Sequence, residues 1–97
     1  MSSIVITSAK RTPIGKFLGG LSDLSATELG SVVLKNIIKE SDLNPDEIDE
    51  VILGQVLSGG CGQNPARQAS FMSEIPVDKS ALTINQVCGS GLRAISI

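Results

Sequence analysis

Three short aliphatic runs punctuate the chain: Ile4-Val5-Ile6, Val51-Ile52-Leu53 and Ala81-Leu82-Thr83-Ile84. Each is bounded by polar residues, Gly or Pro, the pattern of short buried strands. The first strand is expected over residues 4–9, the second ends at Gly54, and the third leads towards Cys88. Between them the apolar period changes from continuous to helical. Leu29, Val32, Val33 and Ile37 share one predicted helix face. Ser25-Ala26-Thr27-Glu28 opens that helix as a capping box, with Glu28 near its start and Lys35 and Lys39 near its end to complement the dipole. Asn44-Pro45 begins a short helical turn, with Asn44 as cap and Pro45 at the first helical position. Asn64-Pro65 opens another helix with Ala66, Ala69 and Met72 as its apolar face, and Ile75-Pro76 stops it. A last helix follows Cys88. The order strand, helix, strand, helix, strand, helix predicts an α/β layered fold with right-handed crossovers and a sheet of aliphatic strands.

The connecting segments divide into loops with and without chemical interest. Lys10 to Lys16 is punctuated by Pro13 and Gly15 and reads either as a solvated basic loop or as one that buries Arg11 to organise its neighbours. Ser58-Gly59-Gly60-Cys61-Gly62 is expected to be flexible, and its glycines fit neither a phosphate-binding loop nor a dinucleotide fingerprint. Asp46, Glu47, Asp49 and Glu50 read as a solvated helix start, because no apolar residues gather around them to raise a carboxyl pKa.

Composition removes several function classes. The 97 residues carry eight basic and ten acidic side chains, a formal charge of −2, with no basic stripe. The only aromatics are Phe17 and Phe71, so nucleic-acid binding is not expected. No apolar stretch is long enough to span a membrane, and no basic-flanked leader is visible, which points to the cytoplasm. Two cysteines without any histidine fall short of a zinc site. In that compartment Cys61 and Cys88 are expected as free thiols.

Cys88 is the candidate nucleophile. Thr83-Ile84-Asn85-Gln86-Val87 delivers the chain to it, and Gly89-Ser90-Gly91 follows at once before a helix-compatible segment. This layout puts a cysteine on a sharp strand-to-helix turn. There the unpaired amides and dipole favour a thiolate and can hold a developing oxyanion. Gly89 and Gly91 allow close approach, and Ser90 can cap the helix. The competing reading of Cys88 is a small buried hydrophobe. Cys61, in its glycine-rich loop, lacks both helix start and cationic partner and reads as structural.

Three segments then carry a resemblance. Ala9-Lys10-Arg11-Thr12-Pro13-Ile14-Gly15, Gly62-Gln63-Asn64-Pro65-Ala66-Arg67-Gln68-Ala69 and Asn85 to Ile95 resemble the N-terminal signatures of the thiolases, in that family's order and spacing. The likeness spans the chain and is nearest to the biosynthetic branch, the acetyl-CoA acetyltransferases. It implies strands 1 to 3 of a mixed five-stranded sheet of order 3-2-1-4-5, residues 1–97 forming part of an N-terminal thiolase domain. It implies that Cys88 takes an acetyl group from acetyl-CoA and passes it to a second acetyl-CoA, giving acetoacetyl-CoA and CoA. The backbone N–H of Cys88 would be one oxyanion donor. Neither metal nor organic cofactor is implied; CoA thioesters are substrates. A homo-oligomer, dimer or tetramer, is implied, with Leu82 to Asn85 at a dimer interface and Gln63 to Arg67 near the partner's active site.

Thiolases are several times longer than this chain. The activating histidine, the asparagine oxyanion motif, the second catalytic cysteine and most of the CoA-holding loops fall outside these residues in the family, and Cys61 does not match the second-cysteine motif. The isolated chain is therefore expected to be inactive. Strand 1 would be left as an open aliphatic edge, and Leu92, Ile95 and Ile97 would lack a covering layer. A degradative 3-ketoacyl-CoA thiolase and a non-enzymatic fragment are the alternative readings.

Overall fold

The computed structural model describes residues 3–97. Helix α1 (Ala26–Glu40) comes first, followed by a 3₁₀ turn (Pro45–Glu47), strand β1 (Glu50–Gly54), helix α2 (Pro65–Met72), strand β2 (Ser80–Ile84) and helix α3 (Ser90–Ser96). The strands pair in parallel, Val51 opposite Ala81 and Leu53 opposite Thr83, with α2 in the connection between them. The α/β expectation holds, and the two later strands form where the aliphatic runs place them.

The capping box of α1 is complete. Ser25 Oγ accepts from the Glu28 N–H at 3.1 Å, and the Ser25 N–H donates to Glu28 Oε1 at 3.3 Å. The far end closes without glycine. Asp42 adopts φ +54°, its N–H donating to the Lys39 carbonyl and that of Leu43 to the Ile38 carbonyl, both at 3.2 Å. This is a Schellman closure. Helix α2 ends the same way around Glu74 (φ +64°), which turns Ile75 into the core with 3% of its surface exposed.

The core is small and aliphatic: Leu34, Ile38, Val51, Ala66, Ala69 and Ile75, flanked by Ile37, Ile48, Leu53 and Ala81. Helices α1 and α2 meet through small side chains, with Ser31, Ala69, Ser70 and Ser73 all buried. Ser73 Oγ donates to the Ala69 carbonyl at 2.7 Å, satisfying itself along its own helix.

Two predicted faces are rotated. The buried positions of α1 are Thr27, Ser31, Leu34 and Ile38, while Val32 is exposed. Val32 and Val33 instead line a cleft with Lys10 to Pro13. The helix is apolar on two sides, so period alone could not choose between them. On α2, Ala66 and Ala69 are fully buried as expected, but Met72 keeps 37% of its surface exposed and serines complete the face.

The first predicted strand does not form. Residues 4–9 carry no ladder hydrogen bonds in either direction among the described residues, and Ile4, Val5 and Ile6 are exposed. The segment touches the end of α1 instead. Thr7 Oγ1 lies 2.9 Å from Ser41 Oγ, and Lys10 forms an ion pair with Glu40. An aliphatic run specifies a strand only when a sheet edge accepts its backbone. Leu92, Ile95 and Ile97 on α3 are exposed.

Candidate active site

Cys88 lies exposed between the end of β2 and the start of α3. The five residues Asn85 to Gly89 make the whole connection, and its bend is concentrated at Val87, with φ +48°. A β-branched residue in the left-handed region is strained, and such a conformation persists only where its surroundings hold it. The local bonds are dense. Asn85 Oδ1 accepts from the Val87 N–H at 2.8 Å. The Gln86 N–H donates to Ser90 Oγ at 2.8 Å, and that hydroxyl donates to the Val87 carbonyl at 2.6 Å. The Gly89 N–H reaches the Gln86 carbonyl at 3.0 Å and the Ser90 N–H the Val87 carbonyl at 3.1 Å. Asn85 Nδ2 also donates to the Val56 carbonyl at 3.1 Å, which ties the turn to the segment after β1.

Ser90 is not the helix cap that its position suggested. Gly89 occupies the N-cap without a side-chain bond, and Ser90 is the first helical residue, 3% exposed, with its hydroxyl directed back into the turn. The start of α3 rests directly on β1. A Cβ built on Gly54 would lie 2.4 Å from the Ser90 carbonyl carbon and 2.7 Å from the Gly91 nitrogen. Only a residue without a side chain allows strand and helix start to approach so closely.

The second signature segment docks α2 onto β2. Asn64, itself at φ +41°, caps α2 by accepting from the Arg67 N–H at 3.3 Å and donates to the Ala81 carbonyl at 3.1 Å. Thr83 Oγ1 donates to Asn64 Oδ1 at 2.7 Å and accepts from the Ala66 N–H at 2.9 Å. The Arg67 guanidinium donates to the Lys79 carbonyl. A cleft of about 370 Å³ runs beside this network, lined by Gln55, Asn64, Leu82 and Asn85 among others; Cys88 is not part of its wall.

The remaining candidates sort plainly. Cys61 and Cys88 are both free thiols. Cys61 sits in a closed loop rather than a loose one: its sulfur accepts from Gln55 Nε2 at 3.3 Å, and Gln68 Nε2 donates to both the Cys61 and Gln63 carbonyls. Arg11 is exposed and bonds only the adjacent Thr12 carbonyl, so within this chain the solvated-loop reading of Lys10 to Lys16 is the correct one. Among the described residues no three His, Cys, Asp or Glu side chains gather closely enough to hold a metal ion, and no helix is long and apolar enough to cross a membrane. The sequence reading missed the strain at Val87 and the role of Asn85. An Asn two residues before a turn residue is the signal for an Asx turn that could have found both.

Residues 4–97 match the family model for the thiolase N-terminal domain. An acetyl-CoA acetyltransferase from Thiocystis violacea is 54% identical over 95 residues, covering 98% of this chain and 24% of that protein. One from Paracoccus denitrificans is 50% identical across the whole chain and 25% of its own length. Among solved structures, a thiolase from Ascaris suum in complex with coenzyme A superposes with a TM-score of 0.87 at 52% identity, over 89% of this chain and 22% of that one. The chain thus spans about a quarter of the length of the relatives it matches. The parallel α/β unit, the turn at Cys88 and a family match over all but the first three residues lead to one assignment: the chain belongs to the thiolases, a family of acyltransferases.

Proposed function

We propose that the complete protein carrying this chain is an acetyl-CoA C-acetyltransferase, with residues 1–97 supplying part of its N-terminal domain and Cys88 its nucleophile. The observation that carries this reading is Cys88 exposed on a strained turn between β2 and α3. In the first half-reaction the Cys88 sulfur bonds to the acetyl carbonyl carbon, the bond from that carbon to the CoA sulfur breaks, and the thiol proton ends on CoA. In the second, another acetyl-CoA loses a methyl proton and its carbon attacks the acetyl-cysteine. A carbon–carbon bond forms, and the Cys88 sulfur leaves and recovers the proton. One difficult condensation becomes two transfers. The Cys88 amide is the donor we assign to the acyl oxyanion. The names of the relatives, and the coenzyme A bound by the Ascaris suum thiolase, support CoA thioesters as substrates.

With no histidine in these residues, the base that activates Cys88 must come from elsewhere in the protein, and the chain alone is expected to be inactive. No resident cofactor enters this scheme. We also propose a homo-oligomer in which the outer edge of β2, unpaired among the described residues, meets a second copy. The test is to incubate the complete protein with acetyl-CoA and locate the label by peptide mass spectrometry. The acetyl group is expected on Cys88; an unlabelled Cys88, or labelling undiminished in Cys88→Ala, overturns the reading. Faster turnover of a long 3-ketoacyl-CoA than of acetoacetyl-CoA would select the degradative alternative.

A further inference from the structure

Val87 holds a backbone conformation that a valine does not adopt unaided, and it directly precedes the proposed nucleophile. Two side chains bond the peptide groups around it. The Ser90 hydroxyl accepts from the Gln86 N–H at 2.8 Å and donates to the Val87 carbonyl at 2.6 Å, so it spans the bend from both sides. Asn85 Oδ1 accepts from the Val87 N–H at 2.8 Å. A hydroxyl offers one donor and two acceptor sites, so Ser90 makes both bonds at once, and an alanine there makes neither. A helix-capping role does not account for this arrangement, because Ser90 Oγ bonds the turn rather than the amides of α3. Ser90 is itself immobilised: it is buried, and its carbonyl lies against Gly54. Asn85 is anchored in turn through its Nδ2 to the Val56 carbonyl.

We infer that Ser90 and Asn85 are positioning residues for acyl transfer, a clamp that keeps Val87 left-handed and thereby fixes where the Cys88 sulfur stands. This rests on Cys88 being the nucleophile. Without the clamp, Val87 relaxes towards ordinary negative φ and the Cys88 Cα swings with it. The sulfur then lies off the line of attack on the acetyl carbonyl, where a displacement near 1 Å slows a reaction by up to about 100-fold.

The test uses the complete protein and the rate of Cys88 acetylation by acetyl-CoA over a range of concentrations. Ser90→Ala is expected to lower the maximal rate about 10- to 100-fold while leaving half-saturation by acetyl-CoA where it was. The decisive variant is Val87→Gly combined with Ser90→Ala. Glycine adopts positive φ as readily as negative and without strain, so the double variant should recover a measurable part of the lost rate. A purely structural role for Ser90 predicts no such rescue. Unchanged acetylation in Ser90→Ala, or a double variant as slow as the single, overturns the clamp. Should Ser90→Ala not fold, Asn85→Ala makes the same comparison: it too must slow acetylation and be rescued by Val87→Gly, and either failure overturns the inference. Absence of acetylation in the unsubstituted protein would instead sink the reading of Cys88, and is seen before any variant is made.

Discussion

Replacing Gly54 by alanine probes how the end of β1 supports the start of α3. The added Cβ would lie 2.4 Å from the Ser90 carbonyl carbon, 2.5 Å from its oxygen and 2.7 Å from the Gly91 nitrogen. All three are backbone atoms, so no side chain can rotate away. Ordinary carbon contacts begin near 3.5 Å, so the first turn of α3 must retreat by about 1 Å. Overpacking of this kind costs about 1–3 kcal/mol. One effect opposes it. Gly54 does not have positive φ, so alanine fits the backbone there and gains about 0.4–1 kcal/mol by restricting the unfolded chain. The steric cost is the larger, and the net expectation is a loss of about 1–2 kcal/mol. Gly91→Ala is the matched control. A Cβ there meets nothing within 4 Å, and the position is inside α3, so alanine should stabilise by about 0.5–1 kcal/mol. Urea unfolding followed by circular dichroism reads both, as opposite shifts in midpoint at unchanged slope. A Gly54→Ala midpoint equal to or above that of the parent would refute the reasoning.

Other outcomes follow from the same structure. Asn64→Ala removes the α2 cap and its bonds to Thr83 and Ala81, and should cost about 1–2 kcal/mol in urea unfolding. Asn64→Gly should cost less, because glycine relieves the positive φ and is tolerated at an N-cap; equal losses would show that backbone strain at this cap is unimportant. Ile75→Ala empties a fully packed position beyond α2 and should cost about 2–5 kcal/mol, with a loss under about 1 kcal/mol counting against the core as described.

Much of the architecture was legible locally. Ser25 and Glu28 announce α1 because both ends of a capping box lie within one turn of chain. Asn64-Pro65 does the same for α2, and Val51-Ile52-Leu53 and Ala81 to Ile84 form strands where their aliphatic character places them. The closures at Asp42 and Glu74 were not legible, since acidic residues adopt left-handed φ only where following bonds hold them there. Cys88 stood out because Gly and Ser follow it so closely, yet the residues that shape its turn did not. Ser90 has the composition of a cap and bonds the turn instead.

The sequence by itself determined what forms from neighbours: helix starts, the two paired aliphatic strands, and a cysteine between strand and helix. Tertiary structure decided whatever depends on a partner distant in the chain. It chose which apolar side of α1 is buried, left residues 4–9 without a strand, and pressed Gly54 against Ser90. The physical reason is that caps and turns are satisfied within a few residues. A strand edge, a buried face and a close backbone approach each need a surface supplied by another part of the fold.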